Sequence, residues 1–190
     1  MTAQAALLAQ FTRSLDNARI PYMVVGSLAS SFHGEPRMTR DIDIVIDPTE
    51  EGLRQFIGEL PQQDFHVDAG AAIEALERRT SFNVIEIETG WKVDLLVRRD
   101  RQFSRVEMDR RIMVRLLGTD AHVATAEDTI IAKLEWAVAG ESERQMRDVA
   151  SILAVNRGRL DDSYIKSWVA ALDLGDAWRR VQELALDAGS

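Results

Sequence analysis

The sequence predicts an α+β protein, in which a mixed sheet flanked by helices is followed by a helical part. Short apolar runs typical of strands alternate with helical patterns up to about residue 124. From Thr125 onward the apolar spacing is helical throughout. We therefore expect an α/β core over residues 1–124 and a helical C-terminal part over residues 125–190 that packs on the core.

Individual elements follow from the period of the apolar residues and from caps and breakers. The predicted strands are 22–25, 42–46, 65–67, 81–88, 91–97, 112–117 and 121–123. The predicted helices are 3–18, 28–32, 50–60, 125–139, 144–155, 161–172 and 176–188. For residues 71–78 the sequence leaves two alternatives, a helical turn or part of a mobile flap that spans residues 61–81.

Composition excludes several kinds of protein. The chain has no cysteine, which excludes disulfides, thiol nucleophiles and thiolate metal sites and indicates a cytoplasmic protein. No apolar run approaches the roughly 20 residues that cross a bilayer, and the first residues lack a signal-peptide pattern, so we expect no membrane partner. The net charge of −8 argues against a large nucleic-acid footprint.

Charge is distributed unevenly, because seven arginines lie between Arg98 and Arg115 against three acids. This local excess of positive charge is open to two interpretations. It could hold a triphosphate, RNA or an acidic partner, or it could be a solvated surface of strand and loop.

Asp41 and Asp43 lie two positions apart in a predicted strand, so their carboxylates project from one face. Adjacent carboxylates repel each other unless a cation lies between them, and Mg²⁺ takes oxygen ligands of this kind. Asp94 is an acid within another apolar strand, where acids are rare unless paired or coordinated. If the two strands are neighbours, the three acids suffice for two divalent ions about 4 Å apart. They form the candidate catalytic and metal site.

Gly26 and Ser27 lie where a predicted strand leads into a helix. Backbone N–H groups and the positive helix end bind anions at such a junction. Glycine lets the backbone approach closely, and the Ser27 hydroxyl can donate to a phosphate oxygen. The pair is therefore a candidate phosphate-binding turn.

Three basic side chains are candidate nucleotide ligands with competing roles. Arg37 and Arg40 could contact a triphosphate or balance the charge of the neighbouring acids. Lys133 lies on the apolar side of a predicted helix, from which it could reach a nucleotide or pair with Asp148.

Histidine and tryptophan are interpreted more simply. We expect His33 to be a hydrogen-bonded loop residue rather than a metal ligand, because the other histidines show no ligand spacing with it. Trp136 and Trp168 are expected in the core rather than as platforms for base stacking.

The combined pattern resembles the nucleotidyltransferase superfamily of the DNA polymerase β type. More specifically it is similar to the small bacterial nucleotidyltransferases of the AbiEii toxin and DUF6036 type. The residues that carry the resemblance are Gly26-Ser27-x-Ala29, His33-Gly34, Arg37-x-Thr39-x-Asp41-x-Asp43, Asp94, Glu127-Asp128, Lys133 and Arg147-Asp148. It covers roughly residues 20–150, is weaker over 50–85 and is absent after about residue 160.

This resemblance implies a function. Family members bind a nucleoside triphosphate through the glycine-serine turn and two Mg²⁺ ions through the three carboxylates. They transfer a nucleoside monophosphate to a hydroxyl and release pyrophosphate. Gly26 and Ser27 then hold the phosphates, Asp41 and Asp43 bind metal, and Asp94 binds metal and helps activate the acceptor. The acceptor is open among a protein side chain, a tRNA end and a small molecule such as an aminoglycoside.

A second hypothesis is a non-catalytic interaction protein that retains the fold, such as one partner of a toxin–antitoxin pair. The helical tail after residue 160 is a candidate surface for that partner or for a homodimer. Other chemistries lack their residues: there is no Walker-type glycine-lysine loop, no Gly-x-Ser-x-Gly elbow and no His-Glu-x-x-His zinc motif.

Overall fold

The computed structural model describes residues 2–39, 41–140 and 142–187, which form seven strands and nine helices. The strands are β1 (Tyr22–Val24), β2 (Asp41–Ile46), β3 (Phe65–Val67), β4 (Ser81–Glu86), β5 (Lys92–Val97), β6 (Ile112–Leu116) and β7 (Thr119–Val123). The helices are α1 (Ala3–Asn17), α2 (Gly26–His33), α3 (Glu50–Glu59), α4 (Ala69–Arg78), α5 (Gln102–Arg110), α6 (Ala126–Gly140), α7 (Glu143–Val155), α8 (Asp162–Ala171) and α9 (Gly175–Asp187). The predicted α+β class is confirmed.

The chain divides into two compact units. The first combines the residues up to Val25 with Thr39–Val123, and the second combines Gly26–Met38 with the residues from Ala124 onward. The sequence-based division placed residues 26–38 with the α/β core. The structure groups them with the C-terminal helices because α2 packs against α6 and α7. Whether 1–124 and 125–190 behave as separate domains stays a prediction.

The first unit is built on a seven-stranded mixed sheet in the order β3-β4-β5-β2-β1-β7-β6. β2 runs parallel to β5, and β1 runs parallel to β7. The other neighbouring pairs are antiparallel. β2 and β5 are therefore central neighbours, although almost fifty residues separate them in the sequence.

Residues alternate between two environments along these central strands, as the pleat requires. Ile42, Ile44 and Ile46 are completely buried on one face of β2. The corresponding residues of β5 are Val93, Leu95 and Val97, exposed by at most 3%. The core of this unit continues through the Phe11 ring, which meets the edges of the Phe56 and Phe65 rings at centroid distances of 5.9 and 5.7 Å. The opposite face of the two strands stays partly exposed and carries the polar side chains.

For two segments of the first unit, only the three-dimensional structure established the secondary structure. The residues open between a helical turn and a flap form the complete helix α4, which is capped by Asp68 and buries Ala72 and Ala75. The arginine-rich segment consists of a loop, helix α5 and most of β6, so the interpretation as strand and loop was right for its two ends and missed the helix between them. Phe103 and Met108 on that helix are buried, but its apolar residues are too few for the sequence pattern to reveal a helix.

The second unit is helical, with α2 and α6–α9 packed on one another. Two reciprocal hydrogen bonds cap the start of α6: the Asp128 backbone N–H donates to Thr125 Oγ1, and that hydroxyl donates to the Asp128 carboxylate. The prediction of a core Trp136 was wrong, because the side chain is 54% exposed on α6. Within the described residues, no helix has the length and apolar content needed to cross a membrane.

Candidate active site

The carboxylates of the first unit come together through the register of β2 and β5. Asp43 is paired directly with Asp94, and Asp41 is paired with Lys92. Paired residues on neighbouring strands project from the same face, so all four side chains lie on the partly exposed side of the sheet. The condition set by the sequence, that the two strands are neighbours, is met. Asp94 is not buried within an apolar strand, as its sequence context suggested, because its side chain is 26% exposed on the polar face.

Lys92 places a cation on this face. Its Nζ donates to Asp94 Oδ2 at 2.8 Å. This hydrogen bond and the charges of Asp94, Asp41 and Asp43 raise the pKa of Lys92 above its ordinary value, although burial opposes them. Three carboxylates therefore share this face with the ammonium of Lys92.

The donor chemistry of this face suits a hard divalent ion, because carboxylate oxygens are the ligands that Mg²⁺ prefers. The side chains are nevertheless arranged differently from a metal centre. Among the described residues, no group of three or more His, Cys, Asp or Glu side chains is placed to hold a metal ion. Asp94 instead faces the Lys92 ammonium. The roles of Asp41, Asp43 and Asp94 as metal ligands stay a prediction.

The glycine-serine turn of the second unit opens α2. Gly26 has a φ of 62°, a left-handed conformation that glycine adopts without strain, and Ser27 follows in the first turn of the helix. The first N–H groups of a helix have no partner within it and carry the positive end of its dipole. The structure therefore places Ser27 at a helix end suited to an anion.

The Ser27 side chain is held by an arginine. Arg37 Nη2 donates to Ser27 Oγ at 2.6 Å. A serine hydroxyl accepts hydrogen bonds through lone pairs and donates one through its hydrogen, so accepting from Arg37 orients the oxygen and directs the O–H elsewhere. Arg37 is in turn fixed by Asp148, to which Nε and Nη2 donate at 3.0 Å each.

Lys133 completes this cluster. Its Nζ donates to Asp148 Oδ2 and to Gln145 Oε1, both at 2.8 Å. Lys133 is 4% exposed and Asp148 is 8% exposed, so the carboxylate and the ammonium are removed from water together. Burial raises the pKa of Asp148, but hydrogen bonds and charge from Lys133 and Arg37 outweigh it and hold that pKa below its ordinary value. Two cations and one carboxylate leave this cluster one net positive charge.

The predictions for the basic nucleotide ligands have different outcomes. Arg37 binds Ser27, so it belongs to the environment of the candidate phosphate turn. Lys133 makes the pair with Asp148 that was one of its two open roles. Arg40 lies outside the described residues. The binding of a nucleotide by Gly26, Ser27, Arg37, Arg40 and Lys133 stays a prediction.

His33 is hydrogen-bonded, as expected, but it is the last residue of α2 rather than a loop residue. Its Nε2 lies 2.7 Å from the carbonyl oxygen of Ala124. Sequence reasoning missed Lys92 altogether. The signal was present, because Lys92 precedes Asp94 by two positions and therefore shares its strand face.

Comparisons with known proteins identify the fold through structure. No family model and no curated protein matches the sequence. A crystal structure of ANT(2'')-Ia in complex with adenylyl-2''-tobramycin is similar with a TM-score of 0.59 and 13% identity, over 90% of this chain and 97% of that one. An antigenic nucleotidyltransferase-like protein from Paracoccidioides brasiliensis gives a TM-score of 0.53 and 17% identity, over 92% and 91% of the chains.

A third solved structure, the lincosamide antibiotic adenylyltransferase LnuA with lincomycin bound, has a TM-score of 0.52 and 11% identity. The similarity covers 82% of this chain and 98% of that one. These structural neighbours are nucleotidyltransferases or are described as like them, at low sequence identity. The seven-stranded mixed sheet and its flanking helices therefore have the fold of the nucleotidyltransferases.

Proposed function

We propose that this protein is a cytoplasmic, Mg²⁺-dependent nucleotidyltransferase that moves a nucleoside monophosphate from a nucleoside triphosphate to a hydroxyl acceptor and releases pyrophosphate. The observation that carries the proposal is the face shared by Asp41, Asp43 and Asp94, which the parallel register of β2 and β5 creates. The nucleotidyltransferase fold supports it.

In this proposal, the carboxylates of Asp41, Asp43 and Asp94 bind two divalent ions. Bound there, Mg²⁺ would neutralise phosphate charge and lower the pKa of the attacking hydroxyl. The apolar opposite face of the strands fixes the positions of the acids, because Ile42 and Ile44 of β2 and Val93 of β5 are buried on that side. Such fixed positions matter because catalysis of phosphoryl transfer depends mostly on positioning and charge.

The proposal assigns the triphosphate to the N-terminal end of α2. Gly26 allows a phosphate to approach the backbone, and the Ser27 hydroxyl donates to a phosphate oxygen. Arg37 orients Ser27 through the 2.6 Å hydrogen bond and adds positive charge. The net positive charge of the Arg37, Lys133 and Asp148 side chains favours an anion at this helix end.

The acceptor hydroxyl belongs to a small molecule, a protein or a tRNA end. The named neighbours favour a small molecule, because one was solved in complex with adenylyl-2''-tobramycin and another with lincomycin bound. The likeness to AbiEii and DUF6036 proteins, with its toxin–antitoxin role and a cognate partner, is the alternative prediction for a macromolecular acceptor. A homodimer stays a prediction as well.

The test combines binding with transfer. Thermal unfolding is measured with Mg²⁺ and each of ATP, CTP, GTP and UTP for the wild type and for Asp43→Asn. Asp120→Asn is the matched control, because Asp120 is an acid of the same sheet with a 66% exposed side chain. We expect stabilisation by at least one nucleotide in the wild type and in the control but not in Asp43→Asn.

Transfer is then followed with the same nucleotides labelled at the α-phosphate, together with cell extract or aminoglycosides. Label should appear on an acceptor with the wild type and be lost with Asp43→Asn. Failure of every nucleotide both to stabilise the wild type and to be transferred would contradict the proposal.

A non-catalytic interaction protein is the second candidate. One observation favours it: Lys92 already supplies a cation to Asp94, so the polar face is partly neutralised without a metal. Stabilisation by a nucleotide without transfer to any acceptor would support this candidate.

A further inference from the structure

Lys92 lies on the carboxylate face, the side of β2 and β5 that carries Asp41, Asp43 and Asp94. It stands opposite Asp41 in the register and two residues before Asp94 on the same strand. Its Nζ lies 2.8 Å from Asp94 Oδ2, within hydrogen-bond distance. Asp94 is therefore engaged by a cation that belongs to the chain itself.

The strength of this pair is set by its exposure. The Lys92 side chain is 38% exposed and the Asp94 side chain is 26% exposed. Ion pairs with this access to solvent are individually weak, because water and salt screen the attraction. The ammonium can therefore hold Asp94 and also be displaced from it.

The charges decide what the pair does to an incoming divalent ion. Three carboxylates alone carry three negative charges, and Lys92 reduces that to two. A divalent ion that approaches Asp94 must displace the ammonium and is also repelled by its charge. Both effects weaken divalent-ion binding to this face.

We propose that Lys92 is a positioning residue that competes with the divalent ion for Asp94 and so lowers the affinity of this face for the ion before nucleotide binds. The inference rests on the proposed function, because it assumes that Asp94 is a metal ligand.

The test is direct titration with Mn²⁺ as a substitute for Mg²⁺, without nucleotide, in which free Mn²⁺ is measured by electron paramagnetic resonance. Lys92→Met keeps the length of the apolar stem and removes the charge. We expect it to bind Mn²⁺ tighter than the wild type by roughly three- to tenfold, as expected for removing one charge near the ion in a solvated setting. Lys92→Arg retains a cation and should stay near the wild-type affinity.

A second pair of variants shows whether Asp94 is the point of competition. When Asp94→Asn is combined with Lys92→Met, most of the gain in Mn²⁺ affinity that Lys92→Met shows over the wild type should disappear. The reason is that the carboxylate held by Lys92 is no longer present. Circular dichroism of all variants checks that they fold, and Lys92→Gln provides a polar replacement that should show the same gain.

The outcomes separate the two proposals. If Lys92→Met and Lys92→Gln bind Mn²⁺ no tighter than a wild type that does bind it, the inference about Lys92 is overturned and the proposed function stands. If the gain persists unchanged in the Lys92→Met/Asp94→Asn double variant, competition for Asp94 is likewise overturned. If neither the wild type nor any variant binds Mn²⁺, the metal assignment fails and the inference fails with it.

Discussion

Asp148 is a buried carboxylate at which a single change of charge should cost considerable stability. Its carboxylate accepts from Arg37 Nε and Nη2 at 3.0 Å and from Lys133 Nζ at 2.8 Å. Asp148→Asn preserves the size of the side chain but removes its charge. Lys133, which is 4% exposed, would then hold a buried ammonium without its carboxylate.

The size of the loss follows from this burial. Removing one partner of a buried ion pair costs about 3–5 kcal/mol, because the charge that remains cannot be solvated. For a chain of this length, about 1 kcal/mol shifts the melting temperature by roughly 2–4 °C. Asp148→Asn should therefore lower the melting temperature by roughly 6–20 °C.

Urea denaturation and differential scanning calorimetry measure this change. Asp176→Asn is the matched control, because the Asp176 side chain is 95% exposed in its pair with Arg179 and should cost under about 0.5 kcal/mol. Lys133→Met should rescue much of the loss when combined with Asp148→Asn, because it removes the stranded ammonium. A cost of Asp148→Asn below about 1 kcal/mol, or a double variant as unstable as the sum of the single variants, would refute the reasoning.

Three further changes test other parts of the structure. Burial lowers the pKa of His33, so the unfolded chain takes up the proton at a higher pH than the folded chain. The free energy of unfolding should therefore fall as pH drops from about 7.5 to about 5.5. In urea denaturation His33→Gln should flatten that fall, and an unchanged pH dependence in this variant would contradict the prediction. Gly34→Ala should cost about 1–3 kcal/mol, because its Cβ would lie 2.7 Å from Ser151 Oγ. Gly58→Ala, with no atom within 4 Å of the added Cβ, is its control and should be neutral or stabilising. Leu117→Asn should raise the free energy of unfolding by about 1 kcal/mol, because Leu117 has a φ of 50° in a hairpin turn before a glycine; a loss of stability would contradict this.

Most of the fold could be predicted from the periods at which apolar residues recur in strands and helices. β2 and β5 were predictable because each places apolar residues on one face. The hairpin of β6 and β7 was predictable from Gly118 and the flanking apolar residues, although its turn lies at 117–118 rather than at the predicted 118–120. α5 was not, because it buries Phe103 and Met108 without a continuous apolar stripe. Trp136 shows the same limit, since a large apolar side chain on a helix does not reveal which face the helix buries.

The carboxylate face was partly predictable. The spacing of Asp41 and Asp43 determined that they share a strand face, whatever the neighbouring strand is. Only the pairing of β2 with β5 could place Asp94 beside Asp43, because strand partners far apart in sequence are selected by the packing of the whole sheet. The same pairing placed Lys92 opposite Asp41, a consequence that the residue types alone did not suggest.

By itself, then, the sequence determined the α+β class, the paired acids on one strand face and the glycine-serine turn at a helix start. These are local properties, set by the two-residue period of a strand and by the conformational freedom of glycine. The pair of Lys92 with Asp94 is local as well, because the two side chains share one face of the same strand. Tertiary structure alone decided which cations meet the buried acid, because Lys133 and Arg37 reach Asp148 where two helices and a loop converge.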